Sequence, residues 1–361
     1  MAGHACLAGI THAIGTLVSA LPEDALHDFC GRHGIHAPLL QEPVGAGRNS
    51  RVTRLSNAAG RWILKDYGPP DARGHDRLGT EFAFLQYLQA ADIPGVARPI
   101  GADRRLFCAL YSLLPGERPA LITTDAITQA AQFIAAVNRH GATPRALALT
   151  GAADGCRRWQ DHLALAEDRL TRLVTLTPQS RIEERVRELV ADTWVPRWRA
   201  LVAELGNSAA ARQPITPILS PSDFGFHNTL LHQGRLSFVD FEYAGWDDPV
   251  KLICDFLCQP DLPITQDQGR QFTAQLSRAL PHIGDVSERV ALLLPVHRLK
   301  WCCILLNEFR SDSRRRRLHA GVAEAGLLEM QFDKANRYFN SHFGGRADSI
   351  WSTGDSHRVL H

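Results

Sequence analysis

The sequence predicts an α+β chain of two lobes, a small β-rich one followed by a larger, mainly helical one, with a cleft between them. Three observations predict it. Short β-type runs separated by Gly, Pro and Asn turns crowd the first third after a leading segment. Beyond Pro115-Gly116 apolar residues recur at helical spacing. A single strand-turn-strand segment, Thr229–Glu242, interrupts those helices. The 361 residues allow roughly two domains of ~150 residues each. The expected divisions are a helical extension at 1–36, the β-rich lobe at 37–114, the helical lobe at 115–340 and a polar tail at 341–361.

Met1–Ala20 is apolar, but it lacks the Lys/Arg start of a signal peptide, and Thr11, His12 and Gly15 interrupt it, so a helical extension is expected. Pro43–Arg54 reads as a Gly-containing turn entering a strand, and Arg61–Tyr67 as a compact strand. After the loop Gly68–Gly79, Thr80–Ala90 has helical spacing, with Phe82, Leu85 and Leu88 on one face. Strands fit Ala97–Gly101 and Leu106–Leu113. Helices then fit Asp125–His140, Cys156–Leu173 and Arg181–Leu205, the last broken or kinked at Pro196. After the strand pair Thr229–His232 and Arg235–Glu242, helices fit Lys251–Cys258, Asp267–Leu280, Val286–Phe309 and about Arg317–Asn340, with a kink at Pro295.

Composition excludes several classes of function. Lys+Arg 40 against Asp+Glu 38 leaves a net charge of +2, without the basic excess of a nucleic-acid binder. No apolar run approaches the ~20 residues that span a bilayer. Neither a nucleic-acid nor a membrane partner is expected. The eight cysteines form no CxxC pair, and Cys254 and Cys258 lie at helical spacing in an apolar stretch. Buried free thiols in a reducing compartment, the cytoplasm, are expected.

The informative stretch is Ser220-Pro-Ser-Asp-Phe-Gly-Phe-His-Asn228, followed twelve positions later by Asp240 in Val239-Asp-Phe-Glu242. Phosphoryl transfer from ATP needs a carboxylate to take the proton of the attacking hydroxyl, oxygen ligands for Mg²⁺, and a cation on the phosphates. Asp223 with Asn228 five residues later supplies a base and a neutral metal ligand from one loop. The hairpin that follows returns Asp240 as the main metal carboxylate. Asp223-Phe-Gly225 spells the metal-binding triplet of protein kinases, but residues 193–222 hold no Asp to serve as an upstream base. Asp223 therefore belongs to the catalytic loop.

Lysine occurs four times, at positions 65, 251, 300 and 334. A Lys ending the apolar run Trp62-Ile-Leu-Lys65 invites a specific role, since a compact ammonium meets phosphate oxygens differently from a guanidinium. Glu81, opening the next helix, is placed to pair with it. The turn Gly45-Ala-Gly47-Arg-Asn49-Ser50 can bring backbone N–H groups to anions.

These residues resemble the aminoglycoside phosphotransferase and choline kinase-like family, over about Val44–Asn340. The resemblance rests on Gly45-x-Gly47-x-Asn49, Lys65, Glu81, Leu113-Leu-Pro-Gly116, Ser222–Asn228 and Val239–Pro249. It implies a protein-kinase-like fold and an ATP- and Mg²⁺-dependent kinase of small-molecule hydroxyls such as a sugar, amino sugar or amino alcohol. It also implies an adenine site at the connection formed by Tyr111, Ser112, Leu113 and Leu114. Two positions depart from the family. Pro221 stands where many members have His, and Leu252 stands where they often have Asp, with Asp255 one turn later as a substitute brace.

Other residues have plainer expectations. His227 is expected to pack the loop, Asp248-Pro249 to cap the next helix, and the Arg314–Arg317 run to be a solvated face. Trp301 and Phe309 read as core. Two alternatives remain at this stage. One is a non-catalytic nucleotide-binding module. The other is a metal-dependent phosphoesterase built from Asp223, His227, His232 and Asp240, which leaves Lys65 unused. Transfer of a nucleotidyl rather than a phosphoryl group is also open.

Overall fold

The structure is a computed structural model that describes residues 21–44, 49–70, 74–206, 208–310, 314 and 326–344. The Gly45 and Gly47 turn, Arg315–Arg317 and most of the expected tail lie outside the described residues. Five antiparallel strands form one sheet. In spatial order they are β1 (Leu40–Pro43), β2 (Arg51–Asn57), β3 (Gly60–Asp66), β5 (Cys108–Ser112) and β4 (Pro99–Asp103). Alternation along these strands assigns their faces. Leu55, Leu64, Cys108 and Leu110 point outward, where α1 (Glu23–Gly31) covers them with Leu26, Phe29 and Cys30. Ile63 and Lys65 point to the opposite face, with Val52 paired across from Lys65.

That inner face is closed by α2 (Arg77–Ala90). The helix begins three residues before the expected Thr80, because Asp76 accepts a hydrogen bond from Gly79 N (2.9 Å) and caps it. Its buried stripe is Glu81, Phe84, Leu85 and Leu88, while Phe82, expected on that face, is half-buried. The shift matters for function. Glu81 lies on the core side, one turn inside the helix.

The rest of the chain is mainly helical. It contains α3 (Thr124–Arg139), α4 (Pro144–Leu147), α5 (Trp159–Val174), α6 (Arg181–Leu189), α7 (Val195–Leu205), α8 (Pro249–Cys258), α9 (Gln266–Ala279), α10 (Ser287–Leu305) and α11 (Leu327–Phe343). The expected helix over Arg181–Leu205 is interrupted by a π-helical turn, Val190–Trp194. Pro196 has no N–H for the preceding turn, and the backbone widens there before α7 resumes. The expected helix at Val286–Phe309 ends at Leu305 and gives way to a 3₁₀ turn, Asn307–Phe309. The central helix is α10, packed on α5, α8 and α11 with Trp301 and Phe309 buried. Among the described residues, seven cysteines are free and buried, and no helix is long and apolar enough to cross a membrane.

Two short ribbons hold the informative loops. β6 (Ile218–Ser220) pairs with β9 (Gly245–Asp247), and β7 (Thr229–His232) pairs with β8 (Arg235–Phe238). The strand expected to reach Glu242 stops at Phe238. Asp240 adopts φ 68°, which no strand accommodates. Phenylalanines anchor both loops. Phe224 stacks near Phe256 (5.4 Å) and Phe238 (5.5 Å), and Phe133 stacks on Phe238 at 4.1 Å. Each such ring, once buried, contributes roughly 1.5–3 kcal/mol. The Asp-Phe-Gly-Phe pattern thus puts aromatic rings in the core and leaves Asp223 half-buried.

The segment 150–153 lies beside β9, with Trp246 N donating to Thr150 O and Ala152 N to Trp246 O, both 3.0 Å. Gly245 makes this approach possible. A Cβ there would lie 2.5 Å from Thr150 O and Ala152 N. Gly245→Ala is therefore expected to destabilise the protein by roughly 1–3 kcal/mol or more, read as a lower midpoint in urea unfolding. A midpoint equal to the parent's would show that the segment gives way freely.

Candidate active site

The sheet's inner face and the ribbon loops enclose a cavity of about 540 Å³. Lys65, Glu81, Asn49, Tyr111, Ser112, Leu113, Asn228 and Asp240 all line it. Apolar walls come from Val52, Ile63, Ala97, Leu230 and Phe238. Such a mostly apolar cleft with a few converging polar groups is typical of a small-molecule site.

Lys65 stands at its centre. Its Nζ donates to Glu81 Oε2 and to Asp240 Oδ1, each at 2.6 Å, and lies 3.5 Å from Glu242 Oε2. Glu81 is held in turn by Tyr67 OH (2.7 Å) and by Phe241 N (3.2 Å), which donates to its second oxygen. Helix α2, strand β3 and the 239–242 loop therefore meet at one carboxylate. Tyr111 turns its hydroxyl to Tyr67 OH (2.7 Å), and Ser112 Oγ accepts from Arg98 N (2.9 Å). Both side chains are thereby engaged inside the sheet.

The opposite wall carries the two acidic motifs. Asn228 Nδ2 donates to Asp223 O (3.0 Å), which orients its Oδ1 the other way. Val239 N donates to Asn228 O (3.0 Å), tying the loop that holds Asp240 to the one that holds Asn228. Asp223 is outside the cavity lining but in contact with Asn228 and His227, which belong to it. Its Oδ1 lies 3.3 Å from His227 Nε2. The four residues Lys65, Glu81, Asn228 and Asp240 are thus brought to one cavity, with Asp223 on the adjoining loop. Gly45 and Gly47 lie outside the described residues, while Val44 and Asn49 on either side of them line the cavity.

The charges do not cancel locally. Glu81, Asp240 and Glu242 offer carboxylate oxygens within 4.8 Å of one another. Burial acts to lower the Lys65 ammonium, but the three carboxylates outweigh it and hold the group well above its ordinary value. Burial pushes Asp240 up, and Glu242 and Glu81 add to the rise against the pull of Lys65. Glu242 goes the opposite way. Burial acts to raise it, but Lys65, Arg77 and bonds from Ser50 and Asn49 bring it below the usual carboxylate range.

Several of these groups carry no obvious mark in the sequence. Glu242, noted there only as part of an acidic loop, is buried and accepts from Ser50 Oγ and Asn49 Nδ2, each at 3.0 Å. Arg77 is buried beside it, 3.8 Å away, and donates to Asn49 O (2.7 Å). Asn49 therefore faces Glu242 and Tyr243 OH (3.1 Å) as well as the cavity. His227 does pack the loop, at 8% exposure, yet it also contacts Asp223 and Gln259 Nε2 (3.2 Å). Asp248 caps α8 by accepting from Val250 N (2.8 Å), and Arg314 pairs with Glu183 Oε1 (3.0 Å). The hydrolytic alternative loses a member. His232 ends β7 at the exposed hairpin turn, three residues from Thr229, or roughly 10 Å at the rise of a strand. Asp240 leaves the hairpin at its other end.

A profile described as the phosphotransferase enzyme family, APH, matches residues 41–284. The chain belongs to this family. Members of the APH phosphotransferase family act on small molecules, and the chain is accordingly a small-molecule phosphotransferase. None of the curated proteins compared with it matches. Solved structures share its kinase-like fold. Spectinomycin phosphotransferase APH(9)-Ia, in complex with ADP and spectinomycin, superposes with a TM-score of 0.60 at 10% identity, covering 91% of this chain and 96% of that one. A Ralstonia eutropha JMP134 protein described as an aminoglycoside phosphotransferase gives 0.55 at 13% identity, covering 87% and 98%. Choline kinase from Cryptosporidium parvum gives 0.52 at 14%, covering 88% and 98%.

Proposed function

We propose that this APH-family enzyme transfers the γ-phosphoryl group of Mg·ATP to a hydroxyl of a small molecule, in the range of sugars, amino sugars and amino alcohols. The observation that carries this is the ammonium of Lys65 clasped between Glu81 and Asp240 in a cavity that also receives Asn228. Similar solved structures include one with bound ADP and others described as choline and ethanolamine kinases.

The residues fit a hard divalent cation. Asp240 keeps one oxygen beyond its bond to Lys65, its side chain is 37% exposed, and the surrounding charge is in acidic excess. With the amide oxygen of Asn228 this is an all-oxygen donor set. Asp240 and Asn228 would hold Mg²⁺, which when bound neutralises phosphate charge as the transfer proceeds. Lys65 binds non-transferred phosphate oxygens, and Glu81 and Tyr67 keep its ammonium on station. Val52, Ile63, Ala97 and Phe238 provide a dry slot for the base. Asp223 orients the acceptor hydroxyl and takes its proton as the oxygen attacks the γ-phosphorus and the bond to ADP breaks.

An acceptor screen read by ADP release tests the activity directly, with transfer confirmed by a phosphorylated product in mass spectrometry. ATP binding without transfer to any acceptor would favour a nucleotide-sensing module, and AMP-linked products would show nucleotidyl transfer. A binding test needs no acceptor. Mg·ATP at one hundred times its Kd stabilises the fold by about 2.7 kcal/mol, so the unfolding temperature should rise. Asp240→Asn should remove most of the Mg²⁺-dependent part of that rise. An undiminished rise in Asp240→Asn would place the cation elsewhere.

A further inference from the structure

Lys251, in the first turn of α8, is 2% exposed, and its ammonium reaches three oxygens. Asp247 Oδ2 lies at 2.9 Å, Asp255 Oδ2 at 3.3 Å and Ser222 Oγ at 3.2 Å. Burial acts to lower its affinity for a proton, yet the two aspartates hold the group charged. Both carboxylates are anchored from elsewhere in the helical part. Asp247 Oδ1 accepts from Cys156 N and Asp248 N, each at 2.8 Å, and Asp255 accepts from Trp301 Nε1 (2.8 Å) and from Lys300. Asp255 itself does not reach the catalytic loop. Lys251 does.

The contact falls on a strained residue. Ser222 precedes Asp223 and has φ 68°, a left-handed conformation uncommon for a residue with a side chain. Its N–H donates to Ser220 Oγ (3.0 Å), and its hydroxyl donates to Ala153 O (3.5 Å) while accepting from Lys251. Charge balance does not require that last bond, because Asp247 and Asp255 already neutralise the ammonium. Its consequence is geometric. The bond fixes the backbone immediately before the carboxylate that faces the acceptor.

Taking Asp223 as the base, as proposed above, we infer that Lys251 is a positioning residue. It pins Ser222 in its left-handed conformation and thereby sets the direction of the Asp223 carboxylate. It braces from α8 a loop that has Pro221 two residues before Asp223.

Lys251→Met strips the counter-charge from buried aspartates and puts folding at risk, so the test rests on Ser222→Ala, which leaves the Lys251 pairs with Asp247 and Asp255 in place. Displacements of about an ångström in reacting groups cost up to ~100-fold. Ser222→Ala is expected to lower kcat by about 10–100-fold, with KM for ATP and acceptor within about twofold and an unchanged unfolding temperature. The same substitution in an Asp223→Asn background should cost nothing further, because groups acting as a unit are non-additive. An unchanged kcat in Ser222→Ala, or an equal loss in both backgrounds, overturns the positioning role. Full turnover by Asp223→Asn alone would instead overturn Asp223 as the base and leave the Lys251 contact as architecture.

Discussion

Asp223→Asn is expected to lower kcat by roughly 10²–10⁴-fold, the usual worth of a positioned base, while the affinity for Mg·ATP stays within a few-fold of the parent's. The geometry separates the two effects. Asp223 does not line the cavity that receives Lys65, Asn228 and Asp240; it meets two residues of the wall, Asn228 through its main-chain carbonyl and His227 through its carboxylate. Asparagine keeps the size of the side chain and can still accept from His227, so the loop should retain its shape. Rapid-quench measurement of phosphoryl transfer, beside equilibrium binding of Mg·ATP, distinguishes the outcomes. Loss of nucleotide binding together with turnover in a folded Asp223→Asn protein would move Asp223 from proton acceptor to nucleotide ligand.

Lys65→Met should do more damage and of a different kind. Glu81 and Glu242 are 5% and 1% exposed at the side chain, and both rely on the Lys65 ammonium. Removing one member of a buried ion pair while its partner stays typically costs about 3–5 kcal/mol. Arg77 remains near Glu242, and the half-exposed Asp240 can turn to water, so the lower end of that range is expected. With the cation gone, the folded state favours protonated carboxyls. Asp240 and Glu242 lose the charge that draws them down, so their folded values rise and the variant's stability falls as pH rises through them. In the parent the Asp240 carboxyl already lies above its ordinary value, so the parent too should gain on mild acidification, but by less than the variant. Urea titrations of both proteins at pH 5 and 8, with ATP binding at each, provide the comparison. A Lys65→Met protein as stable as its parent and still binding ATP would mean that the ammonium holds neither the carboxylates nor the phosphates.

The stretch proposed to be catalytic is legible in the sequence because its geometry is local. Asp223, Asn228 and Asp240 are separated by one loop and one hairpin, so their spacing brings Asn228 and Asp240 to one wall with Asp223 on the adjoining loop. Lys65 is legible for a different reason. A chain that uses lysine four times draws attention to one that closes an apolar strand. Glu242, Arg77 and Lys251 are not legible in this way. Each is explained by partners distant in the chain, such as the contact between Ser50 and Glu242, and no spacing rule encodes those. Arg77 is further hidden among the many arginines. Errors in the elements have similarly local causes. The early start of α2 depends on one cap at Asp76, the end of β8 on the left-handed backbone of Asp240, and the break before α7 on the missing N–H of Pro196.

The stretch of likeness to the phosphotransferase family runs over 41–284, whereas Leu26 and Phe29 of α1 fill the outer side of the sheet and α10 runs through the middle of the helical part. Limits drawn from kinship would therefore cut through oil rather than water. A shortened protein beginning at β1 would bare Leu55, Leu64 and Leu110 to solvent, and a sticky leucine surface at the back of the sheet would invite self-association even with every catalytic group intact.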